Sequence, residues 1–168
     1  LFLRAVNKVE PTLTRTDADE VTYGLHIILR FELEADLVSG RLAARDVPAS
    51  WDARSRDLLG IEPPNDALGC LQDVHWSEGL FGYFPSYALG NLYAAQFLWA
   101  LQRDSFDPDG LGRAGEYPAI LGWLRKKIHG SGAAYLPEEL CLNVTGKPLD
   151  PRHFTEYLVR KYGEIYGI

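Results

Sequence analysis

The chain has 168 residues, a net charge of −6, 46% hydrophobic and 24% charged residues. That length suits one domain, able to bury roughly 70% of its unfolded surface. The acidic balance argues against a phosphate-binding surface, so no nucleic-acid partner is expected, and no run approaches the roughly 18 apolar residues of a membrane span.

Two cysteines, Cys70 and Cys141, stand far apart and make no disulfide framework. They point to a reducing, cytoplasmic compartment. No basic opening followed by an apolar stretch marks a signal peptide. The chain contains no Met and opens at Leu1-Phe2-Leu3. The expectation is a fragment, or a chain whose true start lies elsewhere, with a helix already under way.

In chain order the pattern reads as helix after helix. The first strong one is expected from about Asp17 to Ser39, capped by Thr16 or Asp17 and closed by Gly40. Val21, Leu25, Ile28 and Leu29 form its core-facing stripe. A second helix starts near Pro48 and stops at Gly60. Pro63-Pro64 makes the following stretch a loop. Residues 69–85 are expected to be irregular. A mostly apolar helix from Ser86 to about Arg103 should sit deep in the core. Asp107-Pro108-Asp109-Gly110 reads as a turn. Further helices are expected over Tyr117–His129, Pro137–Val144 and from Asp150-Pro151 to about Tyr162. Arg125, Lys126 and Lys127 complement the dipole at a helix end. With no alternating strand pattern, the fold class is all-α.

Gly69-Cys70-Leu71-Gln72-Asp73-Val74-His75-Trp76 concentrates chemistry, and Tyr83 and Tyr87 follow closely. Asp73 could orient the His75 imidazole and fix its tautomer. His75 could then donate to a developing oxyanion, with Tyr83 or Tyr87 as a second donor. The bland alternative is a buried polar knot that satisfies loop backbone. On the first helix, Tyr23, His26 and Arg30 share one face. They read as a solvated or interhelical polar row, or as a substrate-facing row in which Arg30 offers a fork to a carboxylate. A catalytic zinc needs about three protein ligands, and none of the four histidines opens a His-Glu-x-x-His motif. Cys70, Asp73 and His75 could in principle form a new metal or hydrolase site of their own.

The Gly69–Trp76 pattern Gly-x-x-Gln-Asp-x-His-Trp resembles a signature of the carboxypeptidase Taq family of zinc metallocarboxypeptidases. Residues 19–34 and 82–96 are similar to the same family, in the same order. The resemblance covers nearly the whole chain and only the C-terminal third of the family's sequence. It implies part of a larger, mainly helical fold that removes C-terminal residues from peptides. The zinc, or another divalent metal, would be held by a His-Glu-x-x-His helix and a later Glu lying outside this chain. The chain itself is therefore expected to carry no cofactor and to be inactive alone. By resemblance His75 and Tyr83 or Tyr87 would stabilise the transition state, Asp73 would orient His75, and Arg30, His26 and Gln72 would face substrate. Expected partners are peptide C-termini in the complete enzyme, and a second copy or a full-length homologue. The alternative is a truncated, non-catalytic relative acting by such association.

Overall fold

The computed structural model describes residues 2–104 and 107–168. Eight helices run through them: α1 (Phe2–Val6), α2 (Tyr23–Val38), α3 (Val47–Leu59), α4 (Pro85–Arg103), α5 (Pro108–Arg113), α6 (Tyr117–Lys127), α7 (Pro137–Thr145) and α8 (Arg152–Tyr166). No strand occurs among the described residues, and the all-α class holds. Among the described residues no helix is long and apolar enough to cross a membrane. The chain divides into two compact units, with the division inside α4 between Leu89 and Gly90.

In the first unit α2 packs on α3. Leu29 and Leu33 meet Val47 and Trp51, and Cys70 closes the cluster from the irregular segment. The α2 start differs from expectation. Asp19, not Thr16 or Asp17, gathers the free amides: its Oδ1 accepts from the Val21 and Thr22 N–H groups at 2.8 and 3.0 Å. Thr14–Ala18 forms a separate 3-10 turn around Arg15–Asp17, so α2 begins only at Tyr23. Its stripe also turns. Ile28 is 43% exposed, while His26, Ile27, Leu29, Arg30, Leu33 and Glu34 are buried. The helix buries a mixed face, with a polar row alongside the leucines. α3 keeps its expected limits, ending at Gly60.

The second unit centres on Ala100 and Leu101 of α4, Trp123 of α6 and Val144 of α7. Gln96 is fully buried and fully bonded. Its amide donates to Thr145 Oγ1 and the Pro148 carbonyl, both at 3.0 Å, and its carbonyl accepts from the Asp150 amide at 2.8 Å. That one side chain ties the α7–α8 connection to α4. α4 enters the core only along its later part: it buries Ala95, Gln96, Ala100 and Leu101, while Leu89 stays 41% exposed. The expected turn at Asp107 is instead the entry to α5, with Pro108 in its first position. α8 passes through Gly163 and reaches Tyr166.

Candidate functional site

The signature segment forms a run of turns between α3 and α4, not a helix. Two glycines make its path feasible. A side chain at Gly69 would press to 3.3 Å on both the Asn65 carbonyl and the Pro63 ring. Gly82 has φ of 81°, a conformation costly for other residues. Two polar side chains of α2 pin the segment. Glu34 accepts from Trp76 Nε1 at 2.9 Å and from the Gly82 amide at 3.1 Å. Arg30 reaches the start of the segment.

Arg30 has no solvent exposure. Its Nε donates to Asp73 Oδ2 at 2.5 Å, its Nη2 to Gln72 Oε1 at 2.9 Å and its Nη1 to the His26 carbonyl at 2.9 Å. The guanidinium also lies over the Trp51 ring, 4.6 Å from its centroid. A second arginine, Arg15, completes the knot. Its Nε and Nη2 donate to Asp73 Oδ1 at 3.2 and 2.9 Å, and its Nη1 to the Tyr23 hydroxyl at 3.3 Å. Gln72 donates to the Leu13 and Leu68 carbonyls, each at 3.0 Å.

Charge follows this geometry. Burial raises the Asp73 carboxyl, but the two guanidiniums outweigh it and hold the pKa below the ordinary value. Burial opposes the charge on Arg15, yet the Asp73 contacts carry its pKa upward. Arg30 is lowered because its desolvation outweighs its partners. Burial and then the Arg30 charge press His26 down to about 4, so it is neutral at pH 7.

His75 is buried against Phe84, with ring centroids 4.3 Å apart. Its Nε2 meets the Tyr87 hydroxyl at 2.9 Å. The expected Asp73–His75 hydrogen bond is not made. His75 Nδ1 lies 3.8 Å from Asp73 Oδ1, beyond hydrogen-bond range, and is buried without a partner. Asp73 spends its oxygens on the two arginines instead. Tyr83 packs on the Tyr87 ring at 5.4 Å and is 46% exposed. The segment thus gathers His75, Tyr83 and Tyr87, while Arg30, His26, Gln72 and Asp73 form the knot behind them.

Sequence reasoning missed Arg15 and Glu34. Glu34 stands four residues after Arg30 and extends the Tyr23/His26/Arg30 row, so spacing could have found it. Arg15 sits in an irregular threonine-rich stretch with no period to mark it.

Among the described residues, no group of three or more His, Cys, Asp and Glu side chains could hold a metal. The chemistry of the donors agrees. Asp73 is committed to two cations and His75 Nε2 to a hydroxyl, and burial raises the Cys70 thiol. The residues present do not fit a catalytic metal centre.

A sequence model described as Carboxypeptidase Taq (M32) metallopeptidase matches residues 1–162. The chain belongs to this family. Thermostable carboxypeptidase 1 of Thermus thermophilus is 47% identical over 166 residues, a match covering 99% of this chain and 32% of that protein. Carboxypeptidase 1 of Bacillus subtilis is 44% identical over 165 residues, covering 98% and 33%. The crystal structure of an M32 carboxypeptidase from Deinococcus radiodurans superposes with a TM-score of 0.95 at 42% identity, covering 98% of this chain and 33% of that one. The chain therefore spans about a third of the length of the M32 relatives it matches.

Proposed function

We propose that this chain forms the substrate-side wall of a zinc-dependent M32 metallocarboxypeptidase and is not catalytic alone. The pairing of His75 Nε2 with the Tyr87 hydroxyl carries this reading. It leaves Tyr83 as the exposed hydroxyl beside a preorganised pair. A tetrahedral intermediate needs donors aimed at the developing oxyanion. Tyr83 supplies the exposed one, and His75, engaged through Nε2 with Tyr87, acts through that pair beside it. Asp73, Arg30, His26 and Gln72 act behind the wall. With no exposure, Arg30 supports the surface that meets a peptide C-terminus without touching the peptide itself. The metal belongs to a part of the family's fold outside this chain.

The test uses the purified chain and the chain co-expressed with the missing part of an M32 relative. Alone, the chain should bind no stoichiometric zinc and trim no peptide. In the reconstituted enzyme Tyr83→Phe should lower kcat by about 100-fold with little change in KM. Tyr87→Phe should have the smaller effect. Stoichiometric zinc and peptide trimming by the chain alone, both abolished by His75→Ala, would overturn this reading.

The exposed apolar side chains Leu71 and Val74 favour a second reading. In it the chain is a non-catalytic relative that pairs with a second copy or a full-length homologue.

A further inference from the structure

We propose that Arg15 is a positioning residue that withholds the Asp73 carboxylate from His75 Nδ1 and so leaves Tyr87 to set the imidazole tautomer. Its functional meaning rests on the role proposed above for His75.

Three observations carry it. Asp73 Oδ1, the oxygen nearest His75 Nδ1, accepts both the Nε and Nη2 hydrogen bonds of Arg15. His75 Nδ1 is buried and unpartnered only 3.8 Å from that oxygen. Buried polar nitrogens are rarely left so, and this carboxylate oxygen lies just beyond hydrogen-bond range. Finally, the Arg15 guanidinium lies over the Tyr87 ring, 4.7 Å from its centroid. Arg15 therefore grips Asp73, the acceptor that Nδ1 would otherwise take, and lies over Tyr87, the partner of Nε2.

Arg30 serves the other carboxylate oxygen. The Arg30 donors already serve Asp73 Oδ2, Gln72 and the His26 carbonyl. Lysine cannot reproduce the Arg15 grip. An ammonium keeps the charge but lacks the planar fork that places two parallel N–H groups on one oxygen. If the fork is lost, Asp73 Oδ1 regains acceptor capacity and turns to His75 Nδ1–H. The ring proton is then fixed on Nδ1, and Nε2 can only accept from the Tyr87 hydroxyl.

Imidazole nitrogen NMR on the full chain, labelled with 15N-histidine, tests this without any activity measurement. In wild type the ring should carry its proton on Nε2, whereas in Arg15→Met the proton should sit on Nδ1, moved downfield as the Asp73 bond forms, and Nε2 should take the shift of an unprotonated acceptor. Arg15→Lys should fall between wild type and Arg15→Met. Unchanged His75 signals in folded Arg15→Met would overturn the proposal, as would a downfield shift at Nε2 instead of Nδ1. If Arg15→Met loses the native amide spectrum, Arg15→Lys decides by the same readout. Failure here leaves the role of His75 to the peptide-trimming assay, so the two readings fall separately.

Discussion

Asp73 is the anion shared by two buried cations, and removing it would strand both. The Arg15, Asp73 and Arg30 side chains are 9%, 14% and 0% exposed, so solvent screens this cluster little. Breaking a buried pair by deleting one partner typically costs about 3–5 kcal/mol. Asp73→Asn should therefore lower the urea unfolding free energy by about that amount. The pH dependence has two parts. His26 has a depressed folded pKa of about 4 against 6.5 for the free side chain. As pH falls from about 6.5 to about 4 the unfolded chain takes up a proton that the folded chain refuses. Stability is lost through that window, by up to about 3 kcal/mol. Asp73 is also depressed, so its contribution is full above the ordinary carboxyl pKa and is lost only as pH falls through its lower folded value. In His26→Gln, urea midpoints measured from pH 7 to pH 4 should decline less than in wild type. Parallel declines would show that His26 is not the group responsible.

At the scale of elements, α2 works as a post to which the turns of residues 69–85 are tied. The row Tyr23, His26 and Arg30 was legible as a helical face, because spacing alone places those residues together; Glu34, which extends it, was missed. The burial of that face was not legible, because spacing cannot say what covers a face. The same limit explains Ile28, apolar and in register with a stripe yet exposed. Local signals did better where one residue sets the backbone, as at Pro48 and Gly60 around α3. They failed at Asp107-Pro108-Asp109-Gly110, whose residues serve a turn or a helix entry equally well. In the site, the motif residues were legible as a group, but the partner of Asp73 was not. Arg15 comes from 58 positions earlier, in a segment without periodicity. The tie at Glu34 can be tested at this scale. Glu34→Ala leaves the Trp76 indole and the Gly82 amide without their acceptor, at a cost of about 1–3 kcal/mol each. The Gly82 amide should exchange with solvent faster than in wild type, while α3 amides away from the contact keep their protection. Unchanged Gly82 exchange would mean that the tie does not hold the segment.

At the scale of the whole molecule, the apolar surface that this chain leaves open has a pattern. Leu71, Val74, Leu80, Phe81 and Tyr83 are 71%, 66%, 45%, 48% and 46% exposed, all within one stretch of turns. A single exposed leucine needs no explanation, but a run of five large apolar side chains beside a polar knot does. Glu34, Arg15 and Arg30 tie the segment from beneath, while Leu71 and Val74 stay largely open to solvent. Such a surface lowers its free energy by association. The M32 relatives are about three times as long as the matched region, which leaves room in the family's fold for a cover. The purified chain should therefore self-associate with rising concentration in sedimentation velocity. Leu71→Glu with Val74→Glu should shift it toward monomer. The same pair should leave the urea midpoint nearly unchanged, because both side chains are largely exposed and neither belongs to the cluster of Leu29, Leu33 and Trp51. A wild-type chain that stays monomeric across the concentration range would mean that the exposed run is too small, or too broken by Ser77 and Glu78, to act as an interface.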